Sequence, residues 1–257
     1  RYNTKDRATK VVRQQVIREY TGYEYGLYPH SKEMLLEYRD LVAQNGSKLL
    51  VFIYPNLTVH NLAIPGFLDY NEALMRFCKE NDILLIVDEV QTGVGRTGSL
   101  FAFQHYGILP DVCSFAKGIA GGLPMSGIMA GAKCRDVLGP GTHATTFGAN
   151  PVCAAAGLVV QETLTDAFLE DVRAKGTYLR NQIEALDLPC FGATRGLGLM
   201  IGIAVNDGWT NKEIAGKLIE NGLLVLTAGP GMRLLPPLVI SKEEMDQGVA
   251  ITPEKCP

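Results

Sequence analysis

DEVQTGVGRTG (Asp88–Gly98) and SFAKGIAGGLP (Ser114–Pro124) place a carboxylate at the end of one apolar run and a lysine at the end of the next, with glycines crowding both. The runs that feed them, LLIVDEV (Leu84–Val90) and VCSFA (Val112–Ala116), are short, apolar and β-branched, as strands buried on both faces are. LLVFIYP (Leu49–Pro55) is a third such run. Before LLIVDEV, the segment FLDYNEALMRFCKEN repeats Phe67, Tyr70, Leu74, Phe77 and Cys78 at helical spacing, and Asn81 can end that helix. Strand, helix and strand in so short a span imply a parallel crossover unit in an α/β domain, with helices on the faces of a mostly parallel sheet. Ligands in such sheets bind beyond the carboxyl ends of the strands, where Asp88 and Lys117 fall.

Outward from this centre, composition sets the frame. The chain has 257 residues, 47% of them hydrophobic, enough for one large or two modest buried cores. Its formal charge of −3 gives no electrostatic basis for binding nucleic acid or an anionic membrane, so small molecules and other protein are the expected partners. The six cysteines show no metal-ligand spacing and no C-x-x-C, which predicts buried, reduced thiols and a cytoplasmic setting, with no metal. No apolar run approaches the roughly 20 residues needed to cross a bilayer. The chain opens on Arg1 without a signal segment, and a missing amino-terminal portion is expected.

The first 47 residues are polar, with Val11, Val12, Val16 and Ile17 spaced for a helix face, followed by Tyr20, Tyr23, Tyr25 and Tyr28. That aromatic cluster reads either as a stacking surface for a ring or as a loop packed on a core or partner. In the second half, Asn150 can cap a helix with Pro151 in its first turn, and Ala154, Ala155, Ala156 and Gly157 would let a neighbour pack closely. The helical pattern runs to about Leu186, with a break expected near Gly176. TRGLGLMIGIAV (Thr194–Val205) reads as a strand, and Thr210 with Glu213 and Ser241 with Glu244 form capping-box patterns. The change from crossover units to this mixed pattern predicts a smaller α+β domain over residues 161–257, after a larger one over 1–160.

GVGRTG (Gly93–Gly98) fits G-x-G-x-x-G, the dinucleotide fingerprint, but its context does not. The fingerprint needs a strand running into the first glycine and a helix opening within the motif. Here Asp88, Glu89 and Gln91 intervene, and aromatic residues from Phe101 to Tyr106 follow.

Lys117 reads as a solvated surface charge or as an amine held in a desolvated pocket, where loss of the ammonium form readies it to attack a carbonyl. Its place between an apolar strand and Gly-Ile-Ala-Gly-Gly favours the second reading. Asp88 reads as a cap on the following turn or as the buried carboxylate that keeps a pyridine-type ring nitrogen protonated. For Arg233 the alternatives are a domain-interface salt bridge and a planar, bidentate carboxylate holder.

Taken together, DEVQTGVGRTG, AKG-x-x-GG-x-P, GTHATTFGANP (Gly141–Pro151), RGLGLMIG and MRLLPPL resemble the class III aminotransferases of fold type I. The resemblance covers about residues 67 to 250. Within the family it is strongest to the acetylornithine aminotransferases, then to the ornithine and 4-aminobutyrate enzymes. It implies a pyridoxal-phosphate-dependent transferase-like fold: the large cofactor-binding domain, missing or diverged over 1–66, plus the small carboxyl-terminal domain. It also implies amino transfer from N-acetylornithine or a similar ω-amine to 2-oxoglutarate, as in arginine biosynthesis, by a homodimer.

Residue by residue, Lys117 matches the lysine that bonds the cofactor and shuttles a proton. Asp88 matches the partner of the ring nitrogen, Val90 the residue packed on a ring face, and Gln91 the donor to the ring hydroxyl, with Glu89 among the cofactor-binding positions. Thr146 matches the threonine that reaches the cofactor phosphate of the neighbouring subunit, Thr145 a contact to the acetylated substrate, and Arg233 the substrate-carboxylate arginine. The pattern departs upstream. Residues 1–66 hold neither a glycine-rich phosphate cup nor a stacking aromatic residue, and YPNLTVHN (Tyr54–Asn61) stands where the family carries two glutamates. One of those glutamates would neutralise the arginine matched by Arg233; His60 is a candidate substitute or a surface loop residue. These departures open a second expectation, a truncated or diverged inactive homologue acting only in dimerisation or as an interaction partner.

Overall fold

The structure, a computed structural model, describes residues 29–44, 46, 48–53, 67–107 and 109–252. Tyr20, Tyr23, Tyr25, Tyr28 and the YPNLTVHN segment lie outside the described residues. The chain divides into two compact units, Arg1–Leu49 with Gly66–Leu84, and Leu50–Pro65 with Leu85–Pro257. The first unit contains helices α1 (Pro29–Gln44) and α2 (Phe67–Glu80). Asn81 ends α2 as its sequence predicts, donating from both its backbone N–H (3.1 Å) and its side-chain amide (2.8 Å) to the Phe77 carbonyl.

The second unit carries two four-stranded sheets. The first has the order β1-β2-β3-β4, with β1 Leu50–Ile53, β2 Leu84–Asp88, β3 Val112–Phe115 and β4 Gly127–Ala130. β2 and β3 are parallel and bring Asp88 opposite Ser114. Asp111 sets this register from the entry side: its carboxylate accepts from the Leu85 N–H and its own N–H donates to the Leu85 carbonyl, both at 2.9 Å. β4, which the sequence pattern does not announce, runs antiparallel to β3. Phe115 covers it at Gly127, where a Cβ would lie 2.6 Å from the ring. The sheet is therefore mixed, with the parallel β2–β3 pair at the candidate site.

The second sheet has the order β5-β6-β8-β7, all neighbours antiparallel: β5 Phe191–Leu197, β6 Met200–Val205, β7 Leu226–Ala228 and β8 Gly231–Leu234. TRGLGLMIGIAV is thus a hairpin and not one strand. Leu197 pairs with Met200, and Gly198, at φ 52°, makes the reversal that a residue with a Cβ adopts only under strain. Ile201, Ile203 and Met232 face a core completed by Leu179 and Ile183 of α4 (Asp166–Ala185), Ile214 and Leu218 of α5 (Asn211–Glu220), and Met245 of α6 (Lys242–Ile251). Burying such side chains contributes roughly 1.5–3 kcal/mol each. Strand alternation turns Gly202 and Arg233 to the opposite face.

The caps form as read. Asn150 accepts from the Val152 and Cys153 N–H groups at 3.0 and 3.2 Å to start α3 (Pro151–Thr163), and Thr210–Glu213 and Ser241–Glu244 close reciprocal boxes. The expected break near Gly176 falls instead at Leu164–Thr165, where the chain bends by 74° and Thr165 caps α4. Gly176 sits inside α4 for a different reason: a Cβ there would stand 2.0 Å from the Gly198 carbonyl oxygen, so the glycine admits the hairpin turn. Among the described residues no single helix is long and apolar enough to cross a membrane. Cys113 and Cys153 are free, buried thiols and Cys134 a half-buried one, whereas Cys190 is disulfide-bonded, which corrects the expectation that all the cysteines are reduced.

Gly176→Ala gains about 1 kcal/mol of helix propensity, but its contact is with backbone and no rotamer relieves it. Urea unfolding is expected to show a net loss of about 2 kcal/mol, within the overpacking range. Asn150→Ala is expected to cost about 1 kcal/mol. An unchanged midpoint for Gly176→Ala would mean that α4 and the hairpin turn are not held this closely.

Candidate active site

Asp88 closes β2 with its carboxylate fixed from two sides. Oδ1 accepts from the Val90 N–H at 2.9 Å and from the Ser114 hydroxyl, its register partner on β3, at 3.0 Å. The two readings of Asp88 therefore coexist: one oxygen caps the turn, while Oδ2 has no hydrogen bond among the described residues. Ser114 carries no signal of this role in the sequence, because its position opposite Asp88 is a matter of strand register.

Glu89 follows and turns the other way. It is completely buried, with Oε1 accepting from the Phe103 N–H at 2.8 Å and Oε2 from the Thr92 hydroxyl. Burial pushes its pKa up, the hydroxyl and N–H donors pull it back, and the neighbouring Asp88 charge adds to the rise. Glu89 thus holds the loop that carries Val90 and Gln91. The thiol of Cys113 on β3 is pushed up to about 12 by burial and then by the Glu89 and Asp88 charges, which leaves it inert as a nucleophile.

Val90 is half-buried beside Gln91. Gln91 Oε1 accepts from Nη1 of Arg233, on β8, at 3.1 Å. Because a guanidinium only donates, this bond fixes the amide: its oxygen faces the arginine and its NH2 is left to donate elsewhere. Arg233 Nε is buried and has no hydrogen-bond partner among the described residues.

The glycines between these residues and Lys117 serve the protein itself. Gly95 (φ 81°) would place a Cβ 2.7 Å from Leu164, and Gly98 (φ 82°) would place one 2.3 Å from Arg173. Arg96 donates to the Leu199 carbonyl at 3.1 Å and the Pro236 carbonyl at 2.6 Å, and its own carbonyl accepts from the Leu199 N–H at 3.1 Å. A run of turns fills this stretch and no α-helix opens within it, so the dinucleotide geometry is absent.

Lys117 starts a short 3-10 turn, Lys117–Ala120, at the carboxyl end of β3. Ile119 and Ala120 pack with Val94 against Ala156, Val160 and Leu164, and Gly157 approaches the Ile119 carbonyl so closely that a Cβ would lie 3.4 Å from it. The small residues of α3 therefore seat the lysine turn. Lys117 itself takes the left-handed conformation (φ 52°), which costs an L-residue roughly 1–2 kcal/mol. Its side chain is exposed and makes no hydrogen bond or ion pair among the described residues, where the sequence reading had placed it in a desolvated pocket. Thr145 and Thr146 are exposed on the segment between β4 and α3 and form no hydrogen bond with Asp88, Lys117 or Arg233. Close by in sequence, Phe147, Val152, Leu158 and Val159 also expose apolar surface.

Comparison with known proteins gives this arrangement its context. Residues 64–254 match the family described as aminotransferase class-III. An acetylornithine aminotransferase of Synechocystis sp. is 39% identical over 237 residues, which cover 90% of this chain and 55% of that protein. The acetylornithine aminotransferase structure from Elizabethkingia anophelis superposes with a TM-score of 0.70 at 31% identity, covering 84% of this chain and 58% of the other. An ornithine aminotransferase structure from Toxoplasma gondii, described as having partial occupancy of PLP at its active site, gives a TM-score of 0.72 at 31% identity, over 83% and 51% of the two chains. The chain spans about half the length of the curated relatives it matches. With its α/β fold and its motifs in that order, the chain belongs to the class III aminotransferase family.

Proposed function

We propose that this chain takes part in pyridoxal-phosphate-dependent amino transfer from N-acetylornithine or a similar ω-amine to 2-oxoglutarate. The observation that carries the reading is the pairing of Asp88 and Lys117 at the same end of two parallel strands, with one Asp88 oxygen and the Lys117 amine uncommitted among the described residues. Pyridoxal phosphate is the cofactor of this family, and the donor set fits it. When bound, it supplies an aldehyde that holds an amine and a ring that takes up electrons.

The chain's residues divide the remaining work. Asp88 Oδ2 would accept a hydrogen bond from the protonated ring nitrogen, and Ser114 and the Val90 N–H, by fixing Oδ1, hold the carboxylate in place. Val90 packs on a ring face, and the free NH2 of Gln91 donates to the ring hydroxyl. Glu89 contributes from behind, by holding their loop. Lys117 would hold the cofactor through its amine, and the same amine is the group placed to take up and return a proton at the substrate carbon. Arg233 holds a substrate carboxylate through the donors left open at Nε and its terminal nitrogens.

A second copy completes the site in this reading. Thr146 lies on an exposed segment and reaches the phosphate held by the neighbouring subunit, while Thr145 meets the acetylated end of the substrate. Phe147, Val152, Leu158 and Val159 form the apolar surface that such a copy covers. Covering that face and seating the cofactor also desolvates Lys117. Residues 1–160 then act as the cofactor-binding part and 161–257 as the small domain, in a cytoplasmic enzyme of arginine biosynthesis.

The exposure of Lys117 supports a second reading, an inactive homologue that only dimerises or binds a partner. The two separate on cofactor chemistry. Mixing the chain with pyridoxal phosphate and reducing with borohydride is expected to label Lys117 and not its Lys117→Ala variant; dimerisation without a label favours the inactive reading. Asp88→Asn is expected to weaken cofactor binding roughly 10- to 100-fold, the range of one charged hydrogen bond, read by titrating the absorbance band. Phe147→Ser is expected to shift the mass measured by light scattering from dimer toward monomer.

A further inference from the structure

Two residues with side chains hold the left-handed backbone conformation beside this site, and their turns pack on each other. Val94, in the loop after β2, has φ 56°, and Lys117, at the end of β3, has φ 52°. A β-branched residue in that region is an outlier, because its Cβ crowds the neighbouring carbonyl oxygen. Glycine takes the same conformation without strain, and Val94 stands between two of them, Gly93 and Gly95. A third glycine would relieve the backbone, yet the chain carries a valine there. Strained residues persist only where their surroundings over-determine them, and they gather at functional sites.

The backbone on either side of Val94 is tied down. The Gly93 N–H donates to the Glu89 carbonyl at 2.9 Å, and the Gly95 N–H to the Leu100 carbonyl at 3.3 Å. The Val94 side chain is buried with Ile119 and Ala120, the last two residues of the Lys117 turn. A Cβ added to Gly118 would stand 3.6 Å from Val94 Cγ1, an ordinary contact distance, so the isopropyl group lies against the residue that follows Lys117. The backbone bond that spans Lys117, from the Ile119 N–H to the Ala116 carbonyl, is long at 3.3 Å, so the turn leans on the packing of Ile119 and Ala120. α3 supplies part of that packing, and Val94 supplies the part that comes from the β2 loop.

We propose that Val94 is a positioning residue for Lys117: its buried side chain, seated on a strained backbone, holds the Lys117–Ala120 turn in its left-handed start and so fixes where the lysine amine stands relative to Asp88. The proposal rests on the reading of Lys117 as the amine that holds the cofactor, and adds the side chain that sets its place. Val94 belongs to the loop that leaves β2 at Asp88, so packing as well as strand register ties the carboxylate to the lysine.

The test uses the full chain with Val94→Gly, Val94→Ala and Val94→Ile, and follows two readouts. Hydrogen exchange of the Ile119 N–H reports on the turn without cofactor, and the rate of Lys117 labelling by pyridoxal phosphate with borohydride reports on the amine. Val94→Gly relieves the strain and removes the side chain, whereas Val94→Ala removes the branched side chain alone. Both are expected to speed Ile119 exchange at least about tenfold and to slow labelling about 10- to 100-fold, the loss that a displacement of about 1 Å brings to a reacting group. Val94→Ile is expected to keep both readouts near those of the natural chain. Thr210→Ala, which removes the cap of α5, controls for lost stability and is expected to leave labelling unchanged. Natural labelling rates or natural Ile119 exchange in folded Val94→Gly and Val94→Ala overturn the positioning role, as does equal slowing by Thr210→Ala. If the natural chain takes no label, the cofactor reading fails, and Ile119 exchange alone decides whether Val94 holds the turn.

Discussion

The side-chain hydrogen bond between Asp88 and Ser114 joins the ends of two parallel strands, and the rest of the site is arranged by where those ends fall. It exists because β2 and β3 pair in the register that sets these residues opposite each other, a register also held at the entry side by Asp111 and Leu85. A shift of one residue would turn both side chains to the other face. With the register fixed, Asp88 Oδ1 is committed to Ser114 and the Val90 N–H, and the backbone leaves β2 in a defined direction. Val90, Gln91 and the buried Glu89 take their places from that exit, and Lys117 from the matching end of β3.

The second sheet is tied to this centre through the loop after β2. Arg96 bonds the carbonyls of Leu199 and Pro236, and Gln91 bonds Arg233. These contacts require backbone to meet backbone closely, which is the function of Gly176 and Gly198. A Cβ on Gly198 would stand 2.6 Å from the Thr97 backbone, and one on Gly176 would stand 2.0 Å from the Gly198 oxygen. The glycines that invite a nucleotide reading are thus explained by protein packing. The same logic seats the Lys117 turn on α3, where Gly157 and small alanines face Ile119 and Ala120.

Features governed by local chemistry were legible in the sequence. Asn150, Thr210 and Ser241 cap helices where their side chains meet the next N–H groups, and Asp88 and Lys117 lie at strand ends because apolar runs stop there. Features decided by distant contacts were not. β4 is covered by a phenylalanine from another strand, the hairpin at Gly198 reads as one continuous apolar segment, and Gly176 mimics a helix break while serving a close approach. Gln91 and Arg233 are 142 residues apart, so their contact is invisible to spacing and was approached only through the family resemblance. The strand register that sets Arg195, Gly202 and Arg233 in one row across three strands is not disclosed by short β-rich segments.

Charge on the site face follows from the partners these groups have. A carboxylate on Arg233 would cancel its charge, and its removal by an incoming anion would cost the full pairing energy of a shielded ion pair. The Gln91 amide instead accepts one hydrogen bond and leaves the positive charge in place. With Arg195 on the same face, the described residues hold two guanidinium charges in shielded surroundings, where Coulomb interactions are stronger than in water. Asp88, whose Oδ1 bonds Ser114 and the Val90 N–H, forms no ion pair with either among the described residues.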